Sequence, residues 1–226
     1  MKRSKINAAI RFAEDLCKQH GITLPDFARY PADRAVFADP RRTTLVRTML
    51  GWDVTDFGSD EFDRVGAVLF TVRNGLCDDP SVGTPYAEKY IFLRDGCEQE
   101  IPMHYHIAKT EDIINRAGGV FCCQVAACGE DGKPDMTKAV TVMRDGEAYE
   151  AAPGEVIEIQ NGNSITLLPF VYHRFFAKTG AGDLVIGEVS KVNDDKTDNV
   201  FAVVRDRFCP IEEDEAPYRL LVNEYI

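Results

Sequence analysis

Three of the four histidines in this chain fall into one pattern. His104 and His106 form a His-x-His pair, Glu111 follows shortly after, and His173 stands far downstream between Tyr172 and Arg174. The fourth, His20, lies in an unrelated N-terminal stretch. Imidazole nitrogens and carboxylate oxygens are the donors that hold a borderline or hard divalent metal. Residues two apart on a strand share a face, so a strand over 102–107 aims both histidines inward and turns Tyr105 outward. A turn over 107–110 returns Glu111 to the same centre, and His173 reaches it from a facing strand. Neutral imidazoles with one carboxylate leave a divalent ion with net positive charge. In six-coordinate geometry two adjacent positions stay open for water or for neighbouring oxygens of a substrate.

Polar residues surround this pattern. Lys109 sits inside it, in His-x-His-x-x-Lys-x-Glu. A cation beside a metal suits a substrate with several hydroxyls, or an enolate oxygen as its charge develops. Glu88 and Lys89, in TPYAEKYIFL, put charge just before a strand, and Glu188, in GEVSKVNDD, interrupts an apolar one. The run 193–199 is dense in carbonyl and carboxylate acceptors and includes Asp198, with Arg205 beyond it. Acceptors and cations around one metal fit a sugar better than the apolar pocket expected of a dioxygenase. Lys109 and Glu188 are the candidates for proton transfer; Lys109 would need a lowered pKa to accept one, which a neighbouring metal can supply. Glu88, Lys109, Asp198 and Arg205 are the candidates for substrate binding. Each has a plainer reading: Glu88 and Glu188 as members of ion pairs, Lys109 as an exposed turn residue, Asp198 and Arg205 as loop anchors.

The elements that must position these residues are short strands. From about Val65, apolar or alternating runs such as 65–73, 101–107, 120–126, 173–177 and 184–190 alternate with turn pairs such as Asp95-Gly96, Asp145-Gly146 and Asn161-Gly162. About ten such runs imply a barrel or sandwich. The first ~60 residues differ. Ile6, Ala9, Ile10, Ala13 and Leu16 recur at helical spacing, with Ser4 as a possible cap and Gly21 as a stop; a second helix is expected over 41–50. The expected organisation is a helical extension over 1–62 and a β-barrel over 63–226.

The chain has 226 residues and a net charge of −11, which argues against nucleic acid and anionic membranes as partners. The N-terminal stretch, interrupted by Glu14 and Asp15, reads as neither a secretory signal nor a membrane span. Seven cysteines without a CxxC spacing read as reduced, buried thiols. The acidic patch 212–215 reads as a solvated loop.

With these residues in view, the chain resembles the cupin superfamily. Gly96, His104-Tyr105-His106, Glu111 and Gly118 match its first motif, with a longer gap before His104. Gly162 and His173 match the second, but Leu168-Pro169-Phe170-Val171 replaces its Pro-x-Gly. More closely, the chain resembles the D-lyxose isomerase family through the helical N-terminal segment, TPYAEKYIFLRDGCEQEIPMHYH, HIAKTEDIINRAGG, LLPFVYHRF and GEVSKVNDDKTDNVF. The resemblance implies a mainly β, cupin jelly-roll barrel and an aldose–ketose isomerase acting on D-lyxose and D-xylulose, with D-mannose and D-fructose as a related pair. It implies His104, His106, Glu111 and His173 as ligands, and Lys109 near the substrate. It also implies manganese as the favoured metal, a cytoplasmic location and a homodimer. Co2+, Fe2+, Ni2+ or Zn2+ are compatible with the same donors. The competing expectations are a cupin dioxygenase or decarboxylase, and a sugar-binding cupin without catalysis.

Overall fold

A computed structural model describes residues 1–96, 99–192, 197–203 and 210–226. The β-rich part is two antiparallel sheets. The larger contains β1 (Gly51–Thr55), β2 (Ala67–Gly75), β3 (Gly83–Leu93), β5 (Glu111–Gly118), β8 (Val140–Arg144), β9 (Glu147–Ala151), β11 (Ser164–Leu167) and β13 (Leu184–Lys191). The smaller contains β4 (Glu100–His106), β6 (Phe121–Cys128), β7 (Pro134–Asp135), β10 (Val156–Ile159), β12 (Val171–Ala177) and β14 (Asn199–Phe201). Their orders are β1-β2-β3-β13-β5-β11-β8-β9 and β10-β6-β12-β4-β14, with β7 on the side of β6. From β3 to β6, and again from β10 to β14, each successive strand changes sheet. That alternation is the jelly-roll barrel expected of a cupin. It also explains how His106 and Glu111, so close in sequence, come from opposite sheets.

Alternation along the strands builds the interior. Ile101, Ile113, Val125, Ile157, Ile165, Phe175 and Ile186 point between the sheets into one buried cluster. A second cluster covers the outer face of the large sheet. There α1 (Arg3–Gln19) lays Ile6, Ala9, Ile10, Ala13 and Leu16, the stripe expected from spacing, against Trp52, Phe70 and Phe92. Burying one such side chain contributes roughly 1.5–3 kcal/mol, so the helix is held mainly by this face.

Ser4 does not cap α1 through its side chain. Its N–H and Oγ donate to the two carboxylate oxygens of Asp214, at 2.8 and 2.7 Å. Glu213 pairs with the buried Arg3 guanidinium and Glu215 accepts from Asn7. The acidic patch is solvent-exposed, as expected, and also docks onto the start of α1. A helix start offers unsatisfied N–H groups and a positive dipole end, and carboxylates from the C-terminal tail satisfy both.

Where one helix was expected over 41–50, a 3-10 turn over Pro40–Arg42 leads into α3 (Thr43–Arg47). An earlier turn, α2 (Arg34–Phe37), is capped by Asp33. The large sheet begins with β1, inside the segment 1–62 assigned to the extension.

Gly118 closes β5 at φ 91°, and a Cβ there would lie 2.0 Å from the Asp183 carbonyl oxygen. Gly118→Ala should lower the unfolding free energy by about 1–3 kcal/mol. Urea denaturation measures this; an unchanged midpoint would mean that the strand end relaxes freely.

Candidate metal centre

β4 turns His104 and His106 into the barrel and Tyr105 outward, where its ring packs on Phe170 and Tyr172. β12 is the neighbouring strand, and its register places His173 directly across from His104. The pairing then slips by one residue, with the extra residue on β4 between Ile101 and His104. The three histidines are buried, and one ring nitrogen of each lies within 4.8 Å of the others. The Nε2 atoms of His104 and His173 are 3.1 Å apart.

The far sides of two rings are fixed by backbone. His104 Nδ1 is 2.8 Å from the Pro102 carbonyl and His173 Nδ1 is 2.9 Å from the Val171 carbonyl. A carbonyl only accepts, so each Nδ1 carries the proton and each Nε2 turns a lone pair inward. Burial, reinforced by the neighbouring His173 and His106, holds His104 far below the usual histidine range and therefore neutral. Burial lowers His106 as well, against the pull of Glu111.

Glu111 crosses from β5 in the other sheet. Its Oε1 is 3.1 Å from His173 Nε2, and its Oε2 lies 3.4 Å from His106 Nε2 and 2.7 Å from Lys109 Nζ. Burial pushes its carboxyl up, but the charge of Lys109 and the contact with His106 overcome that and hold it well below the usual range. Both ring nitrogens of His106, and Glu111 Oε1, are buried without a hydrogen bond among the described residues. Buried polar atoms normally find partners, and two inward lone pairs so close repel each other. A divalent cation relieves both problems at once. Converging neutral imidazoles and an ionised carboxylate are the donors such an ion takes. The residues present fit a metal.

Beside the ligands lies a buried charged cluster. Glu188 projects from β13, and its Oε1 accepts from Lys89 at 3.3 Å, Lys109 at 3.1 Å and Ser190 Oγ at 2.8 Å. All three bonds fall on Oε1. Burial raises the Glu188 carboxyl, and the Lys109 and Lys89 ammonium groups more than offset this, so it lies below the usual range. Lys89, Lys109, Glu111 and Glu188 line one cavity with His104 and His106; Phe57, Leu69, Ile91, Ile101, Phe175 and Phe201 supply its apolar wall. The cavity thus joins a charged floor to a greasy wall.

The structure brings together His104, His106, Glu111, His173, Lys109 and Glu188. Lys109 is only 3% exposed, which removes the reading of it as a surface turn residue. Glu88 is not at the cavity, which corrects its place among the substrate-binding candidates. Neighbours on a strand face opposite ways, so Glu88 pairs with Arg73 of β2 while Lys89 takes the inward position. Lys89 and Ser190 were not among the candidates. Both follow from alternation once Ile91 and Glu188 are known to face inward. Asp198 also lies off the cavity, behind His106, with Oδ2 3.7 Å from Nδ1. Arg205 lies outside the described residues, as does 193–196 of the acceptor-rich run.

In the altered loop before His173, Phe170 takes a left-handed φ of 64°, a conformation glycine adopts more readily. Its N–H donates to the His106 carbonyl at 3.0 Å, so the loop is tied to the ligand strand.

Comparison with known proteins gives the family. The family model described as D-lyxose isomerase matches residues 1–225. The chain is 40% identical over 228 residues to a D-lyxose/D-mannose isomerase of Serratia proteamaculans, covering 100% of this chain and 98% of that one. It is 39% identical to a D-lyxose/D-mannose isomerase of Escherichia coli O157:H7, again over 100% and 98% of the two chains. Among solved structures, the L-ribose isomerase of Acinetobacter sp. DL28 in complex with L-ribose superposes with a TM-score of 0.59 at 13% identity, covering 94% of this chain and 98% of that one. That likeness is one of fold.

Proposed function

The chain belongs to the D-lyxose isomerase family and is an aldose–ketose isomerase, and we propose that it interconverts D-lyxose and D-xylulose, with D-mannose and D-fructose as a second pair. The observation that carries this reading is the shared burial of two kinds of group in one cavity. His104, His106 and Glu111 line it with the paired Glu188 and Lys109, and His173 converges on the same donors from beside it.

Isomerisation moves a proton between C1 and C2 of an open-chain sugar. The C–H is a weak acid until its carbonyl is polarised. A divalent metal, manganese in our reading, supplies when bound the Lewis-acid stabilisation of charge on two neighbouring sugar oxygens, an effect of several kcal/mol. The protein supplies the rest. Glu188 takes the proton from one carbon and returns it to the other, while the hydroxyl proton passes between the two neighbouring sugar oxygens. Its bonded Oε1 is anchored by Lys89, Lys109 and Ser190, so the second oxygen, Oε2, is the one offered to the substrate. Lys109 donates its ammonium N–H to a sugar oxygen and stabilises the charge that develops there. Lys89 holds Glu188 ionised. The apolar wall of Phe57, Phe175 and Phe201 excludes water, which strengthens each of these interactions. A carboxylate this strongly paired is a weak base in the free enzyme. Entry of substrate between Lys109 and Glu188 loosens that pairing and raises its basicity.

The same reading takes the enzyme to be a cytoplasmic homodimer; both statements rest on the family resemblance. Among the described residues no helix is long and apolar enough to cross a membrane.

The test is a panel of aldoses, D-lyxose, D-mannose, D-xylose and L-ribose, offered to manganese-loaded enzyme with ketose formation followed by chromatography. The expected result is the highest kcat/KM on D-lyxose, with D-mannose second. Preference for L-ribose or D-xylose overturns the substrate assignment, and no ketose from any of them overturns the reaction.

A further inference from the structure

We propose that Asp198 is a positioning residue for the metal centre, whose carboxylate fixes the ring of His106 and ties the Lys109 turn to that ligand. The proposal rests on the metal-centre reading above but not on the choice of sugar.

The three ligand rings are not supported alike. His104 and His173 each have Nδ1 on a backbone carbonyl. His106 has no such carbonyl; what faces its Nδ1 is Asp198 Oδ2 at 3.7 Å. Both atoms are buried, and neither has a hydrogen bond among the described residues. An approach of roughly 0.8 Å would give an ordinary N–H···O separation. A carboxylate in that place accepts only, so it keeps the proton on Nδ1 and the lone pair on Nε2, which faces Glu111 and the other ligands. Carboxylate–imidazole pairs behind a metal also raise the basicity of the ligating nitrogen.

The other half of Asp198 is already engaged. Oδ1 accepts from the Ala108 N–H at 2.7 Å, and the Asp198 carbonyl accepts from the Ile107 N–H at 3.1 Å. These bonds hold the turn that carries Lys109. One residue beside the small sheet thus braces a ligand with one oxygen and the neighbouring substrate-facing cation with the other.

Asp198→Asn separates the two jobs. An amide can keep its oxygen on Ala108, but it then presents an NH2 donor to His106 Nδ1. That favours the tautomer protonated on Nε2, which cannot ligate. Asp198→Ala removes both jobs. The experiment titrates a chelator into manganese-loaded parent, D198N and D198A and follows released manganese by electron paramagnetic resonance. Urea unfolding in excess chelator is measured alongside. The expected result for D198N is an affinity about 10–100-fold below the parent, with an unchanged urea midpoint; D198A loses affinity too. D198N that binds manganese as tightly as the parent overturns the proposal. So does a loss of affinity matched by a loss of stability in chelator, which would leave Asp198 as a loop anchor alone. A parent that takes up no manganese overturns the metal-centre reading and this proposal with it, whereas turnover of an unexpected sugar touches neither.

Discussion

Glu188→Gln lowers kcat on D-lyxose by about 10²–10⁴-fold, the usual worth of a positioned proton-transfer group, while manganese content stays at the parent level. The substitution changes one oxygen to an amide and leaves the shape intact. Glutamine cannot accept a carbon-bound proton. The ligand residues themselves are unchanged, and Lys109, which bridges Glu188 to Glu111, keeps an oxygen to bond on the amide. KM should change far less than kcat, because the loss falls on the transition state rather than on ground-state binding. Chromatographic ketose assays and metal analysis check both halves. Activity within tenfold of the parent would contradict the role of Glu188 and move proton transfer to Lys109.

His173→Ala has an effect of comparable size for a different reason. It removes the one ligand contributed by β12, whose Nε2 lies 3.1 Å from both His104 Nε2 and Glu111 Oε1. If the Lewis acid is worth several kcal/mol, then at about 1.36 kcal/mol per decade the fall in kcat/KM is about 10³-fold or more. Stability in chelator should fall little by comparison. The ring sits among lone pairs that repel it, so its removal costs packing but relieves electrostatic conflict. The protein should, however, lose the rise in melting temperature that manganese gives the parent. Thermal unfolding with and without manganese reads this directly. A variant still stabilised by manganese to the parent's extent would show that His173 is a core histidine and not a ligand.

Much of this site was legible in the sequence because strands repeat every two residues. That single rule puts His104 and His106 on one face and sends Tyr105 to the other; His173 comes from the neighbouring strand of the same sheet, not from the facing strand expected. Glu111 was legible because a short turn returns the chain. What stayed hidden depends on register and on distant pairing. Glu88 and Lys89 are adjacent, so alternation allows only one of them inside. Which one is decided by the pairing of β3 with β13, where Lys89 meets Glu188. The docking of the exposed acidic strip 212–215 stayed hidden because nothing local to it reveals that the start of α1 lies beside it. The short helices before β1 eluded periodicity because prolines and Asx caps, not an apolar stripe, set their ends. The brace from Asp198 could not be inferred at all, since it needs β14 to lie along β4 with Asn199 opposite His106.

The measurement that bears most directly on the whole account is turnover by chelator-stripped enzyme with manganese added back, D-lyxose as substrate and His104→Ala as the parallel control. The expected result is no D-xylulose from the stripped enzyme, recovery of turnover with manganese, and no recovery in the variant. Equal D-xylulose formation by the stripped enzyme, or recovery in His104→Ala, would contradict a metal centre built on these histidines.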